Sequence, residues 1–329
     1  MKEQIPEISF VAELVKQHYH LVGISLHRLR SDSGKCIYRI EQSDTQSRIV
    51  RLAPASEHTA LYELANVLTF LEEQGYPAER IVQTTEGTAC GTAAGWHFLM
   101  TTFLTGKPLE STLSALFLLG AALGRLHALK PAGSLSLPTA AMLPAPELAF
   151  AHAQLSAVAS LVPTQYLPHY EMLETALAAG DHCTDLPAVL IHNDCHPANA
   201  LLTAPDQVTL FDWEGAGLGP AILDVGFLLA NCDGAAPWAS LPLSYDYHPD
   251  RARLNAAVDG YCQYHGLTSH DLNHLPAVIR FRSLVFGACS FASSIAQHGA
   301  PGPLQWWWAR YSAAEEIADI VSKRFVQRN

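Results

Sequence analysis

Ile191-His192-Asn193-Asp194-Cys195-His196-Pro197-Ala198-Asn199-Ala200-Leu201-Leu202, followed by Leu210-Phe211-Asp212-Trp213-Glu214, is the stretch around which the rest of the chain can be read. Short apolar runs at Val189 to Ile191, Ala200 to Thr203 and Val208 to Phe211 predict strands, and these set Asp194, Asn199 and Asp212 at adjacent loop ends. The three side chains differ in what they offer. Asp194 is a carboxylate that can take a proton; Asn199 adds a neutral amide oxygen and Asp212 a charged one, a pair that suits a hard cation such as magnesium. Any one of them alone would be an ordinary turn residue, so the joint spacing carries the chemistry.

Composition bounds what that chemistry can act on. The chain has 329 residues, 49% hydrophobic and 16% charged, the balance of a well-buried globular protein. A formal net charge of -11 discourages nonspecific binding to nucleic acid or to an anionic membrane. A polyanionic cofactor therefore needs local cations or metal ions. Seven cysteines without a CxxC pair suggest neither a disulfide framework nor a structural zinc site, and fit reduced thiols in a cytoplasm. Met1 to Tyr19 carries Glu3, Glu7 and Glu13 and does not read as a secretory signal. Leu113 to Leu129 contains Arg125 and His127 and is too short to span a bilayer. The expectation is a cytoplasmic protein without nucleic-acid or membrane partners; nothing in the sequence sets an oligomeric state.

The organisation expected is α+β and two-lobed. A helix around Ile8 to His18 precedes a hairpin of Cys36 to Glu41 with Arg48 to Leu52, where Cys36, Tyr38 and Ile40 share a face. Ser56 can cap a helix carrying Leu61, Leu64, Leu68 and Leu71 that stops at Gly75, and a strand follows at Trp96 to Thr101. Thr105-Gly106-Lys107-Pro108 marks the lobe boundary, dividing the chain into 1–104 and 105–329. Beyond it the chain reads mostly helical: one helix on Leu116, Leu119, Leu123 and Leu126, two in Pro131 to Gly180, and two near Leu275 to Ala296 and Leu304 to Phe325.

Phosphoryl transfer to a hydroxyl asks for a base, magnesium ligands and a cation on the phosphates, because positioning and charge neutralisation do most of the work. His192-x-Asp194-x-x-x-x-Asn199 with the later Asp212 resembles the catalytic loop and metal-binding aspartate of the kinase-like superfamily. The form it resembles most is the aminoglycoside phosphotransferase and choline kinase family. Those enzymes show His-Gly-Asp-x-His-Pro-x-Asn-x-Leu and then Ile-Asp-Trp-Glu, matched by His192, Asp194, His196, Pro197, Asn199, Leu201, Asp212, Trp213 and Glu214, with Asn193 in place of the usual glycine. The resemblance implies a protein-kinase-like fold of a small antiparallel-sheet lobe and a larger, mainly helical lobe, with ATP (or GTP) between them and Mg2+ as cofactor. It makes Asp194 the catalytic base, Asn199 and Asp212 the metal ligands, and Asp224 the brace of the catalytic loop, with His192 and His196 bonded within it. Ser31-Asp32-Ser33-Gly34-Lys35 takes the place of the nucleotide-covering loop. Arg51 stands where a phosphate-binding lysine usually does, with Glu63 as its ion-pair partner and Glu57 as rival. Thr102-Phe103-Leu104 resembles the linker whose backbone, at Thr102 and Leu104, binds the purine.

Other readings compete with parts of this one. Lys35 reads as a surface lysine, and His192, Cys195 and His196 as a transition-metal set are opposed by the oxygen ligands and Pro197. Trp306-Trp307-Trp308, with Tyr311, Ile317 and Val321, reads first as packing of the last helix, with one ring left to face a substrate. Asp181, Asp185, Asp233 and Asp271 read as solvated, or in part as lining for a cationic acceptor. The functional expectation is a small-molecule kinase whose partner is a hydroxyl acceptor: an amino alcohol, an aminoglycoside, homoserine or a sugar. A nucleotide-binding regulator, a protein kinase and a metal-dependent phosphohydrolase are the rivals.

Overall fold

The computed structural model describes residues 6–32, 35–42, 46–55, 60–110, 112–130, 136–232, 248–302 and 305–328, with the backbone alone at 30–32, 305 and 306. Ser33, Gly34, Ser56, Glu57 and Asp233, named above, lie outside them.

Alternation builds the first sheet. In β2 (Lys35–Gln42), Cys36, Tyr38 and Ile40 are buried and their neighbours are not, as a strand with one face on a core requires. β2 lies between β1 (Ile24–Asp32) and β3 (Arg48–Pro54); β6 (Trp96–Thr102) follows β3, and β4 (Ile81–Val82) and β5 (Cys90–Ala93) both pair with β6, all antiparallel. β1 was not readable as a strand because Ser25, His27, Arg28 and Leu29 are exposed along this sheet edge. Helix α1 (Ile8–Tyr19) lays Val11, Leu14 and Val15 on Tyr38, Val50 and Phe98. Helix α2 (Ala60–Glu73) buries Leu61, Leu64, Leu68 and Leu71 and ends before Gly75, whose φ of +65° is one glycine adopts without strain. These leucines join the core of the larger lobe, each contributing about 1.5–3 kcal/mol by burial.

The chain leaves the first sheet at Thr102. β7 (Lys107–Pro108) already pairs with β9 (Ala200–Ala204), which forms a hairpin with β10 (Gln207–Leu210), while β8 (Ala188–Ile191) pairs with β11 (Gly217–Pro220). Helices α3 (Leu113–His127), α4 (Pro144–Ala157), α5 (Leu167–Ala178), α6 (Ala221–Ala230), α7 (Arg251–Tyr261), α8 (Ser269–Asn273), α9 (Leu275–His298), α10 (Gln305–Ser312) and α11 (Ala314–Arg328) surround these strands. The expected single helix from Leu304, itself outside the described residues, to Phe325 is instead divided at Ala313 into α10 and α11. Hydrogen bonds run across the junction, from Ala313 N to Ala309 O at 3.0 Å and from Ile317 N to Ala313 O at 2.9 Å.

Two features of this lobe position the site. Helices α3 and α7 touch backbone to backbone, since a Cβ added at Gly120, Gly124 or Gly260 would strike a carbonyl of Ala257, Tyr261 or Phe117. That approach sets Tyr261 beside His127. Helix α9 is, among the described residues, the one helix long and apolar enough to cross a membrane, but 67% of its apolar window is buried inside the protein. It is a core helix of the large lobe.

Candidate active site

The β9–β10 hairpin sets the two expected oxygen ligands at its open end. Its last register pair is Leu210 with Ala200, so Asn199 and Phe211 flank the open end, and Phe211 N donates to Asn199 O at 3.0 Å. Asp212 follows in the left-handed region, φ 67° and ψ 61°, which turns the chain out of the strand. Asn199 Nδ2 donates to Asp194 Oδ2 at 2.7 Å and to Asp194 O at 3.1 Å. With the amide nitrogen so engaged, the amide oxygen of Asn199 is the atom available to a cation. The Asp194 side chain keeps 41% exposure, and His196 Nε2 stands 3.7 Å from its Oδ2, in ion-pair range but too long for a hydrogen bond. Partial burial pushes the Asp194 carboxyl up, but His196, Arg282 and His192 outweigh it and hold it below the ordinary carboxylate value. The group is therefore ionised at neutral pH.

A buried chain of polar groups holds the loop in place. Asp224, on the first turn of α6, accepts from His192 N and Asn193 N, both at 2.7 Å, one on each carboxylate oxygen. His127 Nε2 reaches the same carboxylate at 3.2 Å, and its Nδ1 faces the Tyr261 hydroxyl at 2.9 Å. Burial pushes Asp224 up, and the His127 contact, His192 and the loop N–H more than compensate, leaving it below the usual range. His192 is fully buried, which lowers its pKa; its Nε2 donates to Phe211 O at 3.0 Å, tying the loop to β10. His196 Nδ1 accepts from Ala198 N at 3.2 Å.

Asn193 has a φ of 64°, where glycine is unstrained and asparagine is among the best tolerated of the others. The side chain also does what glycine cannot: Nδ2 donates to Gly215 O at 3.2 Å and Oδ1 accepts from Arg282 Nη2 at 2.8 Å, and the same Nη2 contacts Asn193 O. Arg282, on α9, is 6% exposed, lies over the Phe227 ring at 4.5 Å, and has its pKa pulled down by burial though it stays charged. Removing it leaves two buried oxygens of Asn193 without their donor and takes away one of the positive groups that hold the Asp194 carboxyl down. Charged hydrogen bonds of this kind are worth about 1.5–3 kcal/mol. Arg282→Met is accordingly expected to lower kcat by roughly 10–100-fold while leaving nucleotide affinity unchanged; an unaltered kcat in steady-state kinetics refutes the role.

In the small lobe the structure corrects one expectation. Arg51 is not paired with Glu63, which is exposed beside Tyr62 on the outer face of α2. Arg51 is 8% exposed and donates through Nη2 to Glu79 Oε1 at 3.0 Å and Oε2 at 3.3 Å, and through Nη1 to Thr101 Oγ1 at 3.0 Å. Glu79 comes from the irregular stretch between α2 and β4, where helical periodicity gives no signal. Arg51 Nε also lies 3.7 Å from Glu214 Oε1, and Lys35 Nζ lies 3.3 Å from Glu214 Oε2, so Glu214 spans the lobes and Lys35, half-buried, is paired across them. Burial pulls the Arg51 pKa down, but Glu79, Glu214 and Asp212 carry it above the ordinary value. Thr102 N donates to Arg80 O at 2.8 Å and Thr102 Oγ1 accepts from Arg80 N at 2.9 Å. Phe103 N donates to Ser47 O at 2.9 Å, so the Thr102 and Phe103 N–H groups both have partners within the protein. Leu104 follows, half-buried, at the exit from the sheet.

Cys195 is fully buried, and burial raises its thiol pKa well above the ordinary value, which removes it as a nucleophile. A cavity of about 510 Å3 lies between α5, α9 and α10, lined by Tyr166, His169, Ser283, Trp307, Trp308 and Tyr311 among others. Trp307 packs on Phe286 at 5.2 Å and Trp308 stacks on Tyr311 at 4.6 Å, so both rings serve packing and cavity at once.

Solved structures share this architecture. An amicoumacin kinase in complex with AMP-PNP, Ca2+ and Ami is 17% identical, with a TM-score of 0.65 over 95% of this chain and 94% of that one. A spectinomycin phosphotransferase in complex with ADP and its antibiotic is 13% identical, with a TM-score of 0.64 over 99% of this chain and 100% of that one. An ethanolamine kinase from Plasmodium vivax is 12% identical, with a TM-score of 0.63 over 95% and 89%. At these identities the likeness speaks for the fold. No curated protein sequence matches the chain. Residues 25–257, more than half of the sequence and running from the first sheet through the Asp194 loop into α7, match the family model for phosphotransferase enzymes, and the chain belongs to the phosphotransferase enzyme family.

Proposed function

We propose that the protein transfers the γ-phosphoryl group of ATP to a hydroxyl of a small organic molecule, with 1–104 as the nucleotide lobe and 105–329 as the catalytic and acceptor lobe. The observation that carries this is the convergence, at one loop, of an ionised and accessible Asp194 with Asn199, whose amide nitrogen bonds Asp194 and leaves the oxygen side available. In this reading Asp194 accepts the acceptor's hydroxyl proton and aims its oxygen. Asn199 and Asp212 present only oxygen to a cation, the donor set that fits Mg2+. When bound, the ion neutralises charge on the transferring phosphates. Arg51, held by Glu79, and Lys35 supply protein cations near the phosphates, and Leu104 meets the purine ring. The aromatic cavity beside α9 suits an organic acceptor, and its rings together with the acidic surplus favour one that carries an amine.

A protein kinase is a poorer fit, because the stretch between Asp212 and Asp224 is taken up by a single helical turn and by β11, paired to β8, with no platform for a peptide. A nucleotide-binding regulator is the second reading, favoured by the engagement of both Arg51 Nη atoms within the protein. A coupled ADP-release screen over amino alcohols, aminoglycosides, homoserine and sugars separates the two: kinase activity gives acceptor-dependent ADP that Asp194→Asn abolishes. A regulator gives magnesium-dependent ATP binding with no product. Asp212→Ala should weaken magnesium-dependent nucleotide binding by at least ~10–100-fold, the loss that even outer partners of a metal site produce. Calorimetry with and without magnesium reads this, and equal affinities in the two proteins would count against the ligand role.

A further inference from the structure

We propose that Asp185, His270 and His274 form a second cation site, for a borderline transition-metal ion of the Zn2+ class, on the far end of the strand that feeds the catalytic loop. The segment between α5 and β8 carries Asp181, Cys183 and Asp185 at alternate positions. His270 on α8 and His274 at the junction with α9, four residues on, face it with ring centroids 5.3 Å apart. Asp185 Oδ2 lies 2.9 Å from His270 Nε2, and Asp185 Oδ1 lies 3.6 Å from His274 Nε2. One ligand atom from each of the three residues falls within 4.8 Å of the others. A tetrahedral ion with bonds of about 2.0–2.1 Å holds its ligands about 3.3 Å apart, so small rotamer adjustments close the set.

The tautomer favours coordination. Asp181 Oδ2 sits 2.6 Å from His274 Nδ1, and a carboxylate can only accept, so Nδ1 carries a proton and Nε2, which faces Asp185 and His270, is the nitrogen left to coordinate an ion. A carboxylate behind the ligating histidine is the arrangement that orients imidazoles at metal centres. Two imidazole nitrogens and one carboxylate select Zn2+, Co2+, Ni2+ or Cu2+ over Mg2+ and Ca2+. The alternative trio, Asp181 with Cys183 and His274, is the weaker set: burial pushes the Cys183 thiol up to about 12, and Asp181 Oδ1 is engaged by Cys183 N at 2.9 Å. His270 and Asp185 are more than half exposed, so an ion enters without unfolding and a water completes the fourth position. Bound there, the ion ties the segment that leads into β8 to the corner where α9 begins. It is a structural clamp between the two elements that present the catalytic loop and Arg282.

The test uses the full chain, stripped with a chelator, and ZnCl2 alone as probe. One equivalent should bind with micromolar affinity by competition with a chromogenic chelator and raise Tm, and Co2+ should give the visible absorption of a four-coordinate site. MgCl2 at the same concentration should do neither. His270→Ala and Asp185→Asn should each weaken zinc binding at least tenfold while keeping the far-ultraviolet circular dichroism and the zinc-free Tm. Cys183→Ser should bind as the wild type does. Zinc binding equal in wild type, His270→Ala and Asp185→Asn overturns the site, and loss in Cys183→Ser with retention in His270→Ala assigns the ion to the other trio.

Discussion

Asp194→Asn is expected to lower turnover by about 10³-fold, within the range attributed to a positioned proton acceptor, with ATP affinity and Tm close to those of the wild type. The substitution keeps the shape of the side chain, and its amide oxygen can still accept from Asn199 Nδ2, now at 2.7 Å from Asp194 Oδ2. What disappears is the negative charge that faces His196 and that, in the proposed reaction, takes the acceptor's proton. The effect should fall on kcat, because in the proposed reaction the carboxylate acts on the reacting hydroxyl and not on the nucleotide. A kcat within tenfold of wild type would remove Asp194 from the base role. The depressed pKa adds a second readout. Since the folded-state value lies below the ordinary 3.8, Asp194 stays ionised down to acid pH, and an acid limb of kcat/KM near neutrality reports some other group.

Asp224→Asn is expected to cost about 3–5 kcal/mol of stability and most of the activity, the range for breaking one side of a buried charged pair. The carboxylate is 1% exposed, and its two oxygens accept from His192 N, Asn193 N and His127 Nε2. An amide in its place puts an N–H where one of those donors points, so a buried donor is left facing another donor. The pH dependence has a definite sign. The folded-state pKa is depressed, so the stabilisation is present in full above the unfolded value near 3.9 and is lost as pH falls through the folded value. Urea midpoints should therefore separate wild type from variant widely at pH 7 and converge below pH ~4. A constant gap across that range would show that the charge is not what stabilises the loop.

How much of this was legible beforehand depends on sequence distance. Asp194 and Asn199 are five residues apart in one loop, and Asp212 follows through a hairpin whose register their own spacing sets, so any fold containing that hairpin brings Asn199 near Phe211. The leucines of α2 and the alternation of β2 were equally local. Partners chosen by packing were not. Glu79 meets Arg51 from 28 positions away, out of an irregular stretch with no period, and Glu63 was the wrong choice because helical spacing says which residues share a face and not which face meets the sheet. His127 was visible only as a polar residue in an apolar helix; the glycine contacts between α3 and α7 bring Tyr261 to it, and α6 brings Asp224.

Residue types and short spacings by themselves determined the α+β fold class, the family and the oxygen-rich character of the loop, because those properties reside in contiguous chain. Tertiary structure alone decided that Arg282 grips Asn193 from 89 positions away, that Glu214 holds Lys35 and Arg51 across the lobes, and that Asp185 faces two histidines. The physical reason is the same in each case. A buried or clustered charge needs a partner of opposite sign, and close packing of helices and sheets, not chain neighbourhood, determines which one lies within reach.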